Sequence, residues 1–307
     1  MTSRDDIVVL VPHEDGIHAL AGIPGVHAVV YDRDAEMPRE AESAEVLVTP
    51  FYVRGDEAEM VSKLPALQLV QLLIAGVDAL GGLPDSIAVS DCSGAHGIAT
   101  SEWVVASLLA IYRELPGFVR AQDGGNWDQH ITDELAGKRV LIVGAGDVGS
   151  HVRRRLKPFD VATTMVGRTA RDGVYGVGDV LGLLPDHDAC VLVAPLTDET
   201  RGLVNEKFLA AMPDGAVLVN AARGPIVDTD ALVAELVSGR LRAALDVTDP
   251  EPLRAGHPLW TAPGLILSPH VAGNVPGAQR RAFAVAAVQI AAYARGDTPP
   301  NLVRNGY

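Results

Sequence analysis

The stretch RVLIVGAGDVGSHVRRRL, Arg139 to Leu156, joins a run of aliphatic residues to an amphipathic, basic-ended segment through Gly144-x-Gly146-x-x-Gly149. Each glycine has its own task in a strand–turn–helix. Gly144 permits the tight turn, Gly146 lets the backbone approach a pyrophosphate, and Gly149 lets the helix close on the strand. Asp147, Val148 and Gly149 then open the helix and present their amides to anionic oxygens at the positive end of its dipole. A glycine-rich structural turn is the competing explanation; the flanking strand and helix patterns favour a dinucleotide site.

Outward from this stretch, short apolar runs alternate with helix-length amphipathic segments, the pattern of βα units feeding parallel sheets. One series comprises IVVLV (7–11), HAVVYD (27–32), EVLVT (45–49), LQLVQLLI (67–74) and IAVSD (87–91), with GIHALAGI and GDEAEMVSKL as crossover helices. A second comprises RVLIVGAG (139–146), VATTMV (161–166), ACVLVAP (189–195), AVLVNAA (216–222), RAALDV (242–247) and LILSPH (265–270). Between them IATSEWVVASLLAIYREL (98–115) predicts a long helix N-capped by Thr100 or Ser101, and QRRAFAVAAVQIAAYARG predicts a closing helix. The expected fold class is α/β, two doubly wound parallel-sheet domains with a cleft between them.

Composition narrows the function. A chain of 307 residues, 48% of them hydrophobic, has material for two cores. Its formal net charge of −14 repels a phosphate backbone, and no basic cluster interleaved with aromatics breaks that field, so nucleic acid is not an expected partner. The apolar run Trp103 to Tyr112 is too short to cross a bilayer, and MTSRDDIVVLVP is acidic where a signal peptide would be basic. The expectation is a cytoplasmic protein with no membrane contact. Cys92 and Cys190 lie outside any CxxC spacing, which disfavours disulfides and thiolate metal sites; no metal is expected.

Two clusters carry chemistry. In dinucleotide folds the second strand usually ends in an acid, roughly 20 residues past the glycines, that accepts from the ribose 2′-hydroxyl. Here the position falls on Gly167 of MVGRTA, followed by Arg168 and Thr169. Without the carboxylate nothing repels a 2′-phosphate, and a guanidinium offers a planar fork of donors to it, so NADP(H) is the preferred cofactor with NAD(H) possible. A solvated loop arginine is the alternative, and Arg171 is a second cation within reach. Further on, NAARGPIVD (220–228), LDVTDPEPL (245–253) and SPHVAG (268–273) place Arg223, Glu251 and His270 just past three parallel strands. That edge is where open α/β sheets bind ligands. A cation, a carboxylate and an imidazole suit reduction of a 2-keto acid: arginine clamps the carboxylate and polarises the carbonyl, histidine delivers the proton, and glutamate orients the ring.

With these motifs, the chain resembles the D-isomer-specific 2-hydroxyacid dehydrogenases, through AGVDAL, SEWVVASLLAIYR, GGNW, GKRVLIVGAGDVG, APLTDETRGLVN, NAARGPIVD, ALDVTDPEPL, HPLW and SPHVAG, from about residue 67 to the final NLVRNGY. The resemblance implies a Rossmann nucleotide-binding domain (98–275) and a discontinuous flavodoxin-like substrate domain (1–97 and 276–307). It implies that Arg223, Glu251 and His270 are catalytic, and that the Ala75-Gly76-Val77 backbone grips the substrate carboxylate. Asp246 is implied to contact the nicotinamide carboxamide, with Pro195, Thr200 and Ala222 also on the cofactor, and two subunits to pair through their nucleotide domains. The substrate class implied is a small 2-keto acid of the glyoxylate or hydroxypyruvate kind. The chain departs from the family pattern at Asp91-Cys92-Ser93-Gly94-Ala95-His96, where an asparagine and proline segment is usual, and at Thr248, where an aromatic is usual. His96 either reaches the substrate or caps the following helix. Two other functions remain open at this level: a nucleotide-sensing interaction protein and a phosphite dehydrogenase-like enzyme.

Overall fold

The computed structural model describes residues 6–51, 57–78, 80 and 82–303. Parts of GDEAEMVSKL and AGVDAL, and the end of NLVRNGY, lie outside them. The chain opens with β1 (Ile7–Val11), α1 (Glu14–Leu20), β2 (Val26–Val30), β3 (Ala44–Val48), α2 (Glu57–Ser62), β4 (Leu69–Gln71) and β5 (Ala88–Ser90). It continues through α3 (Gly97–Tyr112), α4 (Leu115–Asp123), β6 (Arg139–Val143), α5 (Asp147–Leu156), β7 (Ala162–Gly167), β8 (Tyr175–Gly176), α6 (Val180–Leu183) and β9 (Ala189–Leu192). Then follow α7 (Glu206–Ala211), β10 (Val217–Asn220), α8 (Thr229–Val237), β11 (Arg242–Leu245), β12 (Leu265–Leu267) and the long α9 (Pro276–Ala294). Two compact units result, one of residues 1–96 with 275–307 and one of residues 97–274.

In the first unit the strands pair in parallel in the order β2-β1-β3-β4-β5, the flavodoxin-like order. Side-chain alternation splits its apolar residues between two cores. Val9 and Val11 pack with Phe283 and Ile290 of α9, while Leu10 and Leu47 pack with Met60 and Val61 of α2. The sequence predicts a strand over 67–74, but the ladder ends at Gln71. Leu72 and Ile74 turn their backbone groups to Ser90 and Cys92 instead, in bonds of 2.8 and 2.9 Å, and the chain leaves the sheet as a loop.

The second unit is a parallel sheet in the order β12-β11-β10-β9-β6-β7-β8. Val140 and Ile142 of β6 face α3 and α5; Leu141 and Val143 face the helices that carry Phe208 and Leu232. Thr100 and Ser101 do not cap α3. The helix starts at Gly97, and Ser101 is inside it, bonding back to the Gly97 carbonyl at 2.5 Å. The cap comes from a distant residue: Asp147 Oδ2 accepts the Gly97 N–H at 3.0 Å. Among the described residues no helix is long and apolar enough to cross a membrane.

Gly149 shows why the glycine pattern is obligatory here. A Cβ on it would overlap the Gly144 carbonyl oxygen, so β6 and α5 pack backbone to backbone. Gly149→Ala forces the helix off the strand, at a cost of about 1 to 3 kcal/mol. Thermal unfolding of the variant is expected several degrees below the parent; equal midpoints would mean that this close approach is not required.

Candidate active site

The turn after β6 is shaped as a cradle. Gly144 has φ +123°, and a Cβ there would sit 2.6 Å from the Val193 carbonyl, whereas a Cβ on Gly146 would meet only open space. No side chain caps α5 at Gly146, so its first amides remain available to an anion. Asp147 would repel phosphate if it faced the turn, but its carboxylate is committed to Gly97 N–H, with His151 Nε2 3.5 Å from the other oxygen. The residues present therefore fit a dinucleotide.

At the end of β7 the two arginines divide differently from the expectation based on spacing. Arg171 Nη1 lies 3.0 Å from where a Gly167 Cβ would be, and Nη2 donates to the Ala145 carbonyl at 3.1 Å. Arg171 is thus the cation laid over the missing acid and against the glycine turn. Arg168 is exposed, as is Thr169, and the Arg168 charge is felt by Glu199. The Glu199 carboxyl is held below its ordinary range by the hydrogen bond from Thr197, and by Arg168 as a lesser influence. Pro195 and Thr200 shape the same loop: Thr200 Oγ1 donates to the Pro195 carbonyl at 2.7 Å. Beside Arg171, Arg153, Arg154 and Lys157 line one hollow with Ala145. In a chain of net charge −14 this is a local positive field.

Arg223, Glu251 and His270 come together in the same unit, beyond β10, β11 and β12. His270 Nδ1 and Glu251 Oε1 are 2.6 Å apart, a short charge-assisted contact. The carboxylate only accepts, so Nδ1 carries the proton and Nε2 is left outside this bond. Partial burial pushes the Glu251 carboxyl up; the hydrogen bond and charge of His270, the Thr248 amide and the Arg223 charge outweigh it and hold the group below its usual value. Arg223 bonds its own turn, Nη1 to the Ala222 carbonyl at 2.8 Å. His270 has φ +55°, a left-handed backbone uncommon for histidine. Its N–H donates to the Asp246 carbonyl at 2.7 Å, which fixes that conformation.

Three residues that hold this set were not singled out for this role from sequence. Asn220, buried, clasps the Arg223 turn through Ala222 N–H and the Arg223 carbonyl, both at 3.0 Å. Gly224 packs so closely on Thr248 that a Cβ would overlap its carbonyl. Asp246, 3% exposed, receives Ser268 Oγ at 2.6 Å and the Val271 and Ala272 amides at 2.9 Å. Its expected partner was a carboxamide; its carboxylate is the knot of the His270 loop. The R-G-P and Asp-Val signals marked the places but not these partners.

In the first unit, the Ala75-Gly76-Val77 amides donate to no acceptor among the described residues. Three adjacent unmatched donors are available to an anion.

The sequence profile of the D-isomer specific 2-hydroxyacid dehydrogenase, NAD binding domain, matches residues 105–272. The chain belongs to this family. A glyoxylate reductase of Aeropyrum pernix is 34% identical over 300 residues, 89% of this chain and 88% of that protein. A glyoxylate reductase of Thermofilum pendens is 34% identical over 264 residues, 80% of this chain and 78% of that one. Among solved structures, a D-isomer specific 2-hydroxyacid dehydrogenase from Xanthobacter autotrophicus in complex with NADPH and MES superposes with a TM-score of 0.82 at 31% identity, covering 98% of this chain and 100% of that one. The protein is an NAD(P)-dependent oxidoreductase of the 2-hydroxyacid dehydrogenase family, with the nucleotide-binding and substrate domains of that architecture.

Proposed function

We propose that this dehydrogenase reduces a small 2-keto acid of the glyoxylate or hydroxypyruvate type to the D-2-hydroxy acid, with NADPH preferred over NADH. The observation that carries the reading is the His270–Glu251 pair at 2.6 Å beside Arg223. Gly144, Gly146, Asp147, Val148 and Gly149 form the pyrophosphate turn, and Arg168, Thr169 and Arg171 meet the 2′-phosphate. Pro195, Thr200, Ala222 and Asp246 complete the cofactor side. When bound, the cofactor supplies the hydride. Arg223 pairs with the substrate carboxylate and draws density from the keto oxygen; Ala75, Gly76 and Val77 donate their amides to that carboxylate. His270 as imidazolium gives its Nε2 proton to the oxygen that becomes the hydroxyl, and Glu251 holds the ring and offsets its charge. Support for a glyoxylate-type substrate comes from relatives named glyoxylate reductase, and for NADPH from the absent acid at Gly167 with Arg171 over it.

A panel of 2-keto acids and phosphite, each with NADPH and NADH, tests the reading. Turnover of phosphite alone, or of nothing with cofactor bound, would replace it by a phosphite-oxidising or a nucleotide-sensing protein. Arg223→Lys is the sharper probe of the clamp because it keeps the charge. Lysine cannot reproduce a two-pronged contact, so kcat/KM for the keto acid is expected to fall about tenfold to a hundredfold. Unchanged kinetics would make Arg223 structural.

The same reading includes a cytoplasmic homodimer paired through the nucleotide units. Its support is the segment after α4, where Trp127 and Ile131 are 90% and 97% exposed, unusual for large apolar side chains.

A further inference from the structure

The loop that carries the Ala75-Gly76-Val77 amides leaves β4 after Gln71, and each backbone carbonyl ahead of it is tied down separately. Gln71 Nε2 donates to the Leu72 carbonyl at 2.8 Å. His96 Nε2 bonds the Leu73 carbonyl at 2.9 Å. The Cys92 N–H takes the Ile74 carbonyl at 2.9 Å. Two of these ties come from neighbours in the sheet or its immediate continuation. The third comes from the His96 side chain, which like Gln71 supplies a side-chain nitrogen, at the position where the chain departs from the family pattern. Because a carbonyl can only accept, the bonded His96 Nε2 carries a proton. The ring is half-buried and stands edge-on to Phe51, with centroids 5.8 Å apart and planes at 74°. His96 therefore does not cap α3, whose first amide belongs to Asp147.

We propose that His96 is a positioning residue for substrate binding: its Nε2–H, held by Phe51, sets the pitch of the Leu73–Ile74 backbone, so that the next amides converge on one carboxylate. The inference rests on the reading that Ala75, Gly76 and Val77 grip that group. The peptide plane that contains the Leu73 carbonyl also contains the Ile74 N–H, so a rotation there propagates directly into the Ala75 amide. Without the side-chain donor, the Leu73 carbonyl loses a partner in a place where Leu73 itself is 1% exposed, and its plane is free to turn toward water. The effect falls on anion binding. His270, Glu251 and Arg223 reside in the other unit and keep their geometry.

The experiment compares His96→Phe, which keeps the ring against Phe51 and removes the donor, with His96→Gln, which restores an N–H donor of similar reach. The parent enzyme is first assayed on the panel above, then all three proteins are assayed on its best substrate. Oxamate, a non-reacting mimic of a small keto acid, is titrated into each while the Gly76 and Val77 amide resonances are followed. The Phe variant is expected to show a KM and an oxamate Kd about three- to tenfold higher, with kcat and cofactor affinity held, and the Gln variant to recover both. KM and Kd unmoved in the Phe variant, or a Gln variant as weak as the Phe one, overturns the assignment. A kcat loss without a KM change does so too. A parent that turns over no keto acid sinks the functional reading instead, and the oxamate titration alone then decides His96: equal binding by parent and Phe variant refutes it. If the Phe variant does not fold, His96→Asn, whose amide falls short of Leu73, takes its place with the same outcomes.

Discussion

His270→Asn is expected to slow the single-turnover reduction of the keto acid by about 10²- to 10⁴-fold while cofactor affinity is retained. Asparagine is the right substitute because residue 270 has φ +55°, a conformation asparagine tolerates, so the loop keeps its course and only the proton donor is lost. The pH dependence has a definite sign. Reduction of the keto acid takes up a proton and oxidation of the hydroxy acid releases one, so rising pH slows the first and favours the second. Glu251 does not contribute to that limb. Its carboxyl is held below the usual carboxylate range, so it is ionised throughout the neutral and alkaline range, and its pairing with the ring is lost only as pH falls through the depressed value. A His270→Asn enzyme with full turnover would remove the imidazole from the chemistry.

The cofactor choice is expected to invert when Gly167→Asp is combined with Arg168→Ala and Arg171→Ala. The triple change is needed because a new carboxylate at 167 would be created beside Arg171 Nη1, which lies 3.0 Å from the Cβ position, and would pair with it rather than with a ribose. Each charge-assisted contact to the 2′-phosphate is worth about 1.5 to 3 kcal/mol, and exposure draws the value toward the lower end. Removing them and adding a repelling acid shifts the ratio of kcat/KM for NADPH over NADH by about 10²- to 10⁴-fold. The measurement is that ratio at low and moderate ionic strength, where the parent preference shrinks as salt rises. A parent that uses both cofactors equally places the two guanidinium groups off the phosphate.

What was legible in the sequence was local. GAGDVG reads as strand, turn and helix because every constraint lies within a few residues, and Arg223, Glu251 and His270 stand out because each follows an apolar run. What was not legible depends on partners far along the chain. The α3 cap misled because a threonine and a serine in the first turn are a good local signal, whereas the acceptor used, Asp147, lies 50 residues away. The strand at 67–74 came out shorter because its last apolar residues, Leu72 and Leu73, are buried in the two cores of the first unit beyond the point where the regular ladder ends. Spacing put Arg168 first; the antiparallel bridge between Arg171 and Val174 folds the following turn back, and brings Arg171 over Gly167 instead. Asp246 reads as a ligand residue, and no local signal shows that its carboxylate also receives the Ser268 hydroxyl and two amides.

The left-handed backbone at His270 also bears on how such a chain could drift once its chemistry is no longer needed. Most replacements there cost of order 1 to 2 kcal/mol in conformation alone, and β-branched ones more, while asparagine, aspartate and glycine do not pay that penalty. Descendants that abandon hydride transfer but keep the nucleotide cradle should therefore accumulate those three residues at this position ahead of all others. On the proposed mechanism, the identity of this single backbone-constrained residue would separate a working reductase from a retired one that still folds and still binds its nucleotide.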